Sequence, residues 1–482
     1  MKLGEYVALD AVGLAELIQA GELSPLEVTD AAIAAIEALD PKLNALVLRD
    51  FPRARATARE VDRNRPLAGV PFLIKDIDVY TEAWPTTMSS RFYADARPRP
   101  DSEIVKRWRA AGCVFLGKTN TPEFATDFFT EPVFRGATLN PWNPGLTVGG
   151  SSGGAAAAVA SGMVPVAHGS DVGGSIRVPA GCCGLFGLKP SRGLNPVGPY
   201  VGEGGGGLDC EHVLSRTVRD SAAFLDATAG PEPGAPYRVL RSVDSYLSAL
   251  DRPLKPLRIA SIGRTIDGSP IASEINDKLA QTEALLRSLG HDVTSASFPE
   301  TVAAAASGEG WSTLWLMDIA LAIRDRAREL GRGPGPDDIE PLSRHIMEWI
   351  DRKTAVDYMD AKGVAHQICL DMARAFEAFD MILTPTTATL PPKIGAAQGG
   401  GAGFSFERWS SVSYGFAPFS EIFNVTGQPA ASLPLHISAT GVPIGMQLIG
   451  RQDQDHILLR LSRDLETQTR WAERHPPIWA GR

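Results

Sequence analysis

The chain has 482 residues, 44% hydrophobic and 21% charged, a globular balance with enough apolar material for a large core. Its net charge of −9 argues against nucleic acid as the main partner, because phosphate binding needs a basic face. No apolar run reaches the roughly eighteen residues of a membrane span, and MKLGEYVALDAVGL has no apolar stretch after its lysine, so neither a membrane anchor nor a secretory signal is expected.

Asp10 is placed to cap a first helix, which Gly21 ends. Ser24-Pro25-Leu26-Glu27 is a capping box with proline at the first helical position. Leu26, Ala32, Ile33, Ile36 and Leu39 then share one helical face, and Asp40-Pro41 is expected to stop the helix. Asn44 to Leu48 reads as a short strand, and a basic helix runs from Asp50 to about Asn64.

Val70 to Ile74 is an apolar, β-prone run that ends at Lys75-Asp76. A lysine at the carboxyl end of a buried strand suits a crevice beside the sheet. Strand alternation sends Asp76 to the opposite face, so Lys75 is expected to be a desolvated amine with no adjacent carboxylate. Asp101 to Gly112 reads as a capped helix and Cys113 to Leu116 as the next strand.

Two motif spellings mislead here. Gly112 followed by Gly117-Lys118-Thr119 spells a phosphate loop, but an apolar strand runs through the supposed loop, so no nucleotide site is expected. Gly149 to Gly153 spells G-x-S-x-G around Ser151. A nucleophile elbow needs a buried strand upstream, and Asn140 to Gly145 is turn material.

From Val148 to Leu188 the chain frames two serines in glycine, Ser151 in GGSSGG and Ser175 in DVGGSIR. Such frames permit tight turns and close ligand approach. Successive N–H groups can point inward together, so Val172, Gly173, Gly174 and Ser175 are candidate oxyanion donors. Gly154 to Ala160 reads as a buried small-residue helix, and Val164 to Val166 as a strand leading into His168-Gly169-Ser170-Asp171.

Gly202 to Gly207 reads as a flexible loop, and Pro231 to Pro253 as an insertion or linker. A strand at Leu257 to Ile262, a helix at Ile271 to Leu289 and a strand at His291 to Phe298 follow. Three helices are expected next, ending near Phe379 and carrying Trp311, Trp315 and Trp349. Met381 to Thr384 is a buried strand, and Gly395 to Gly403 has the composition of a lid hinge. Strands near Ala431 to Leu435 and Ile444 to Leu448 precede an amphipathic helix from Asp455. Cys113, Cys182, Cys183, Cys210 and Cys369 match no metal frame and are expected to be free thiols in a reducing cytosol.

Lys75 in GVPFLIKD, Ser151 in GGSSGG and Ser175 in DVGGSIR, in that order, resemble the amidase signature family of serine hydrolases. The resemblance runs from about Leu14 to about Ile449 and includes GKTNTPEF, GATLNPWN, FNVTGQPAASLPL and GVPIGMQLIG. It implies an α/β fold in one large domain over residues 1–482, a mixed central sheet covered by helices on both faces. Within it, N-terminal helices at about 10–64 precede a signature core at about 65–230 and a substrate-side part at about 255–470.

The resemblance also implies a Ser–cis-Ser–Lys triad. Ser175 is the expected nucleophile, Ser151 the cis-peptide serine that relays the proton, and Lys75 the base. Ser152, Asp171 and Arg177 are expected to support the nucleophile's turn. The implied reaction is hydrolysis of a C–N acyl bond through an acyl-enzyme, with no metal and no organic cofactor.

The spellings VAHGSD and TEPVFRGATLNPWN are similar to the branch that hydrolyses nylon oligomers and aryl amides. Trp84, Thr126, Phe128, Phe129, Trp311, Trp315 and Tyr414 are expected at the pocket, and the loop around Gly400 at its entrance. They favour an apolar or aryl acyl amide. Carbamates share the carbonyl geometry, so urethanase activity enters the expectation, with esterase activity beside it. The alternative is the amidase component of a tRNA-dependent amidotransferase, although Lys189 to Asn195 and GEGGGG depart from that component's spelling. A cytoplasmic monomer or homodimer is expected, acting on a small-molecule amide or carbamate, with no nucleic-acid or membrane partner.

Overall fold

Eleven strands form one mixed sheet in a computed structural model that describes residues 1–306, 310–401 and 403–482. They are β1 (Leu46–Arg49), β2 (Pro71–Lys75), β3 (Val114–Thr119), β4 (Val166–Ser170), β5 (Phe186–Lys189) and β6 (Glu211–Ser215), then β7 (Arg258–Ser261), β8 (Asp292–Ser295), β9 (Met381–Pro385), β10 (Ala430–Ile437) and β11 (Pro443–Gly450). The order across the sheet is β1-β3-β2-β4-β6-β5-β10-β11-β9-β7-β8. β3, β2 and β4 are parallel, as are β9, β7 and β8, and the other neighbours are antiparallel. Helices cover both faces, the single-domain α/β architecture that the motifs imply.

Alternation along β2 sorts the two sides. Phe72 and Ile74 pack with Trp108, Phe115 and Phe224, whereas Leu73 packs with Ala155, Ala156 and Leu214 beyond the other face. Lys75 therefore shares the side of Leu73, where the helix Gly153–Ala160 lies. Asp76 takes the other side and pairs with fully buried Lys118 at 3.2 Å. Lys118 thus sits inside β3, in an ion pair rather than a phosphate loop.

Several expected elements shift. The helix Pro25–Leu43 runs through Pro41 to a left-handed Asn44, whose N–H donates to Asp40 O at 2.8 Å. A proline in the last turn removes one backbone bond without breaking what precedes it. The Asp50-capped helix ends at Glu60, before Asn64. β4 starts at Val166 and continues through His168 to Ser170, because it pairs along β6 as far as Ser170 opposite Glu211. Gly204–Gly207 is a tight turn rather than a flexible loop, with Gly205 and Gly206 at positive φ and Gly204 and Gly205 buried. β8 spans only Asp292–Ser295.

Among the described residues four helices, not three, lie between residues 300 and 378: Glu300–Ala306, Ser312–Leu330, Pro341–Ile350 and Ala355–Ala378. The first is too short to show a period. Residue 402, inside the expected Gly395–Gly403 hinge, lies outside the described residues. Four cysteines are buried, Cys369 is partly so, and all five are free. Among the described residues no helix is long and apolar enough to cross a membrane.

Candidate active site

Lys75 stands at the carboxyl end of β2, fully buried. Its Nζ donates to Ser151 Oγ at 2.7 Å and to Ser170 Oγ at 2.8 Å. The Gly150–Ser151 peptide is cis. Ser170 at the end of β4 donates onward to Asp78. The Lys75 N–H donates to His168 Nδ1 at 3.2 Å, so His168 carries its proton on Nε2 and gives it to Glu211. Burial pushes the His168 pKa well below its usual value, which keeps the ring neutral.

The expectation that Lys75 lacks carboxylate neighbours is overturned. Burial lowers its pKa, but Asp78 first, then Glu211, Asp209 and Asp171, pull it back up, and the net result lies below the usual lysine value. Asp78 arrives from the turn after β2, Asp171 from the end of β4, and Asp209 and Glu211 from the start of β6, which sequence distance does not reveal.

Ser175 lies between β4 and the helix Arg177–Cys183, 7% exposed, with a hydroxyl that has no hydrogen-bond partner among the described residues. Asp171 shapes this turn. It accepts from Gly174 N at 2.7 Å and Ile176 N at 3.1 Å, and from Arg177 Nε and Nη2 at 2.9 and 2.8 Å. The adjacent guanidinium holds the Asp171 carboxyl well below the usual range despite burial. Arg177 also reaches Ser420 O and Gln447 Oε1, each at 2.8 Å, and Asn424 Oδ1. Ser152 donates from its N–H to Ser175 O at 3.1 Å and from its hydroxyl to Ser170 O at 3.2 Å.

One expected oxyanion donor is therefore unavailable, since the Gly174 N–H is committed to Asp171. The N–H groups of Val172, Gly173 and Ser175 have no protein acceptor among the described residues.

Ser151, Ser170, Val172, Gly173 and Ser175 open onto a cavity of about 360 Å³. Of the expected pocket residues, Thr126, Phe128, Trp315 and Tyr414 line it. Three others do not. Trp84 is core, with Nε1 donating to Asp50 at 2.9 Å. Phe129 stacks on Phe416 in the interior, with ring centroids 5.7 Å apart. Trp311 lines a neighbouring cavity of about 840 Å³, which shares Trp315, Trp409, Tyr414 and Glu421 with the first. Gly400 borders neither cavity and packs against Glu340 and Val133.

Sequence reasoning missed Asp78, Ser170, Asp209, Asp318 and Glu421 at the cavity. Asp78 and Ser170 stood in plain view, in KDID and HGSD, but only sheet register brings them together. Trp315 Nε1 donates to Glu421 at 3.0 Å, which fixes the indole as one wall.

A buried lysine on a serine hydroxyl, beside a second serine in a glycine turn, is the equipment of a serine-type hydrolase. The chain matches the Amidase family model over residues 27–459 and belongs to that family, as a hydrolase of amide C–N bonds. It is 35% identical to the 6-aminohexanoate-cyclic-dimer hydrolase of Paenarthrobacter ureafaciens over 97% of this chain and 96% of that protein. A solved structure of 6-aminohexanoate cyclic dimer hydrolase matches with a TM-score of 0.93 over 98% and 99% of the two chains. A bacterial aryl acylamidase of the amidase signature family follows at 27% identity and TM-score 0.88, covering 98% and 99%. A glutamyl-tRNA(Gln) amidotransferase chain from Thermotoga maritima is more distant in shape, at 27% identity and TM-score 0.74 over 97% and 95%. The chain falls in the nylon-oligomer and aryl acylamidase branch.

Proposed function

We propose that the protein hydrolyses amides of apolar or aryl substrates through an acyl-enzyme on Ser175, with Ser151 as proton relay and Lys75 as base. The observation that carries this reading is the 2.7 Å contact between Lys75 and Ser151 at the foot of the cavity onto which the Ser175 hydroxyl opens. Neutral Lys75 takes the Ser151 proton while Ser151 takes the proton of Ser175, whose oxygen bonds to the carbonyl carbon. The oxyanion meets the N–H groups of Val172, Gly173 and Ser175. The C–N bond then breaks, and the proton returns from Lys75 through Ser151 to the leaving amine. Water repeats the sequence on the acyl-enzyme and frees the acid.

Substrate preference follows from the wall. Met88, Tyr93, Phe124, Phe128, Trp315 and Tyr414 present apolar and aromatic surface to the acyl or amine arm. The two named relatives agree in class, one acting on a cyclic dimer of 6-aminohexanoate and the other being an aryl acylamidase. Carbamates and esters of similar shape present the same carbonyl and enter the same proposal.

A fluorophosphonate probe followed by peptide mapping tests the nucleophile, and a panel of aryl amides, aliphatic amides, carbamates and esters tests the substrate class. Adduct on Ser175 and turnover of aryl or long aliphatic amides are expected. Adduct on Ser151 alone would overturn the assignment.

A further inference from the structure

One wall of the cavity is acidic without a matching cation among the described residues. Asp78, Asp209 and Asp318 line it together. Carboxylate oxygens of Asp78, Asp209 and Glu211 lie within 4.8 Å of one another. Most of these groups have partners: Glu211 holds His168, Asp78 accepts from Ser170, and Asp318 accepts from the buried turn through Gly205 N at 2.7 Å. Asp209 differs. It is 8% exposed, and its Oδ1 is buried with no hydrogen-bond partner among the described residues. A buried, unpaired carboxyl is costly unless something complements it.

The described residues supply no free cation here. Arg99 is the only basic side chain among the described lining residues, and it stacks over Tyr80, 4.8 Å from the ring centroid. Lys75 is taken up by Ser151 and Ser170. Burial and the charge of Asp78 push the Asp209 carboxyl well up against the opposing pull of Lys75, and Asp318 and Asp171 add to the repulsion, which a positive ligand would relieve. An ammonium group carries three N–H donors and one compact charge, which suits converging carboxyl oxygens.

We propose that Asp209, Asp78 and Asp318 form a subsite for an ammonium group, so that the enzyme prefers amides whose acyl or amine arm ends in a primary amine. This rests on the amidase reading above and adds the charge of the substrate arm to it.

Two series of amides of matched length test it, one with the terminal amine on the acyl arm and one with it on the amine arm. Each series includes the N-acetylated form and the plain alkyl form. A charge-assisted hydrogen bond corresponds to roughly tenfold or more in kcat/KM, so the ammonium form should lead its neutral analogues by about that factor in at least one series. In Asp318→Asn the ratio of ammonium to neutral kcat/KM should fall at least about fivefold. A change that is merely structural would lower both and leave the ratio intact. Hexylamine should also inhibit the wild-type enzyme competitively where hexanol does not, a measurement that needs no variant.

Equal kcat/KM for charged and neutral forms in both series, or an unmoved ratio in Asp318→Asn, would overturn the subsite. Stimulation by magnesium or calcium, reversed by a chelator, would overturn it in favour of a divalent ion on the same carboxylates. Turnover of the neutral amides keeps the amidase reading in either case, and no turnover of any amide overturns that reading as well.

Discussion

Two influences oppose each other at Lys75. Burial disfavours its ammonium form, whereas Asp78, Glu211, Asp209 and Asp171 favour it, and burial prevails. In the proposed mechanism the neutral amine is the base, so kcat/KM should fall as pH drops through this pKa, and the acidic limb should lie below the free-lysine value of about 10.4. Asp78 is the largest of the upward influences. Asp78→Asn removes it, the Lys75 pKa falls further, and the acidic limb should move to lower pH. A pH–rate profile that stays in place would show that Asp78 does not tune the base. Lys75→Ala should cost on the order of 10² to 10⁴ in turnover, the usual scale for one lost general base. At this scale the sequence is half legible. Lys75, Ser151 and Ser175 stand in frames with a chemical reason. Asp78 and Ser170 do not, because facing across β2 and β4 is a property of register rather than of spelling. Trp84 and Trp315 look alike in sequence, and only packing separates a core indole from a cavity wall.

The helix Gly153–Ala160 shows what an element contributes to the site. It is made of glycine, alanine and one valine and is buried throughout, so it lies close against its neighbours. It begins immediately after Ser151 and Ser152 and so fixes where both serines stand. Gly154 has no room for a side chain: an added Cβ would lie 2.4 Å from Asn120 N and 2.5 Å from Ala45 O, both backbone. Gly154→Ala should therefore destabilise the protein by about 1–3 kcal/mol through overpacking, although alanine is the better helix former. The midpoint of denaturant unfolding measures this, and an unchanged or raised midpoint would show that the backbone gives way without cost. The small-residue pattern made this helix readable. The 204–207 turn was misread because a glycine run looks the same whether it is loose or pressed against a helix, and here the Ser312–Leu330 helix holds it through Asp318.

Across the whole molecule, the first six strands of the chain are contiguous in the sheet, and so are the last five. The halves meet where β5 pairs with β10, from Gly187 opposite Ser432 to Lys189 opposite Ala430. The active turn belongs to the first half but is held by the second. Arg177 and Asp171 bind Ser420, Asn424 and Gln447, and the Ser420 hydroxyl donates to Gly173 O. The sequence placed Asp171 and Arg177 beside Ser175 but said nothing of these partners more than 240 residues away. It did mark the connection between the halves, since Pro231 to Pro253 is turn-rich and Tyr237 and Leu240 are 68% and 67% exposed there. Buried pairing across the sheet, not the covalent link, should therefore keep the halves together. Brief trypsin treatment should cut after exposed Arg238, while Arg241 stays tied to Asp226 at 2.6 Å. The nicked protein should run as two pieces on a denaturing gel, elute as one species under native conditions, and keep its amide turnover. Loss of activity in step with cleavage, or separation of the pieces without denaturant, would show that the link itself holds the active turn in place.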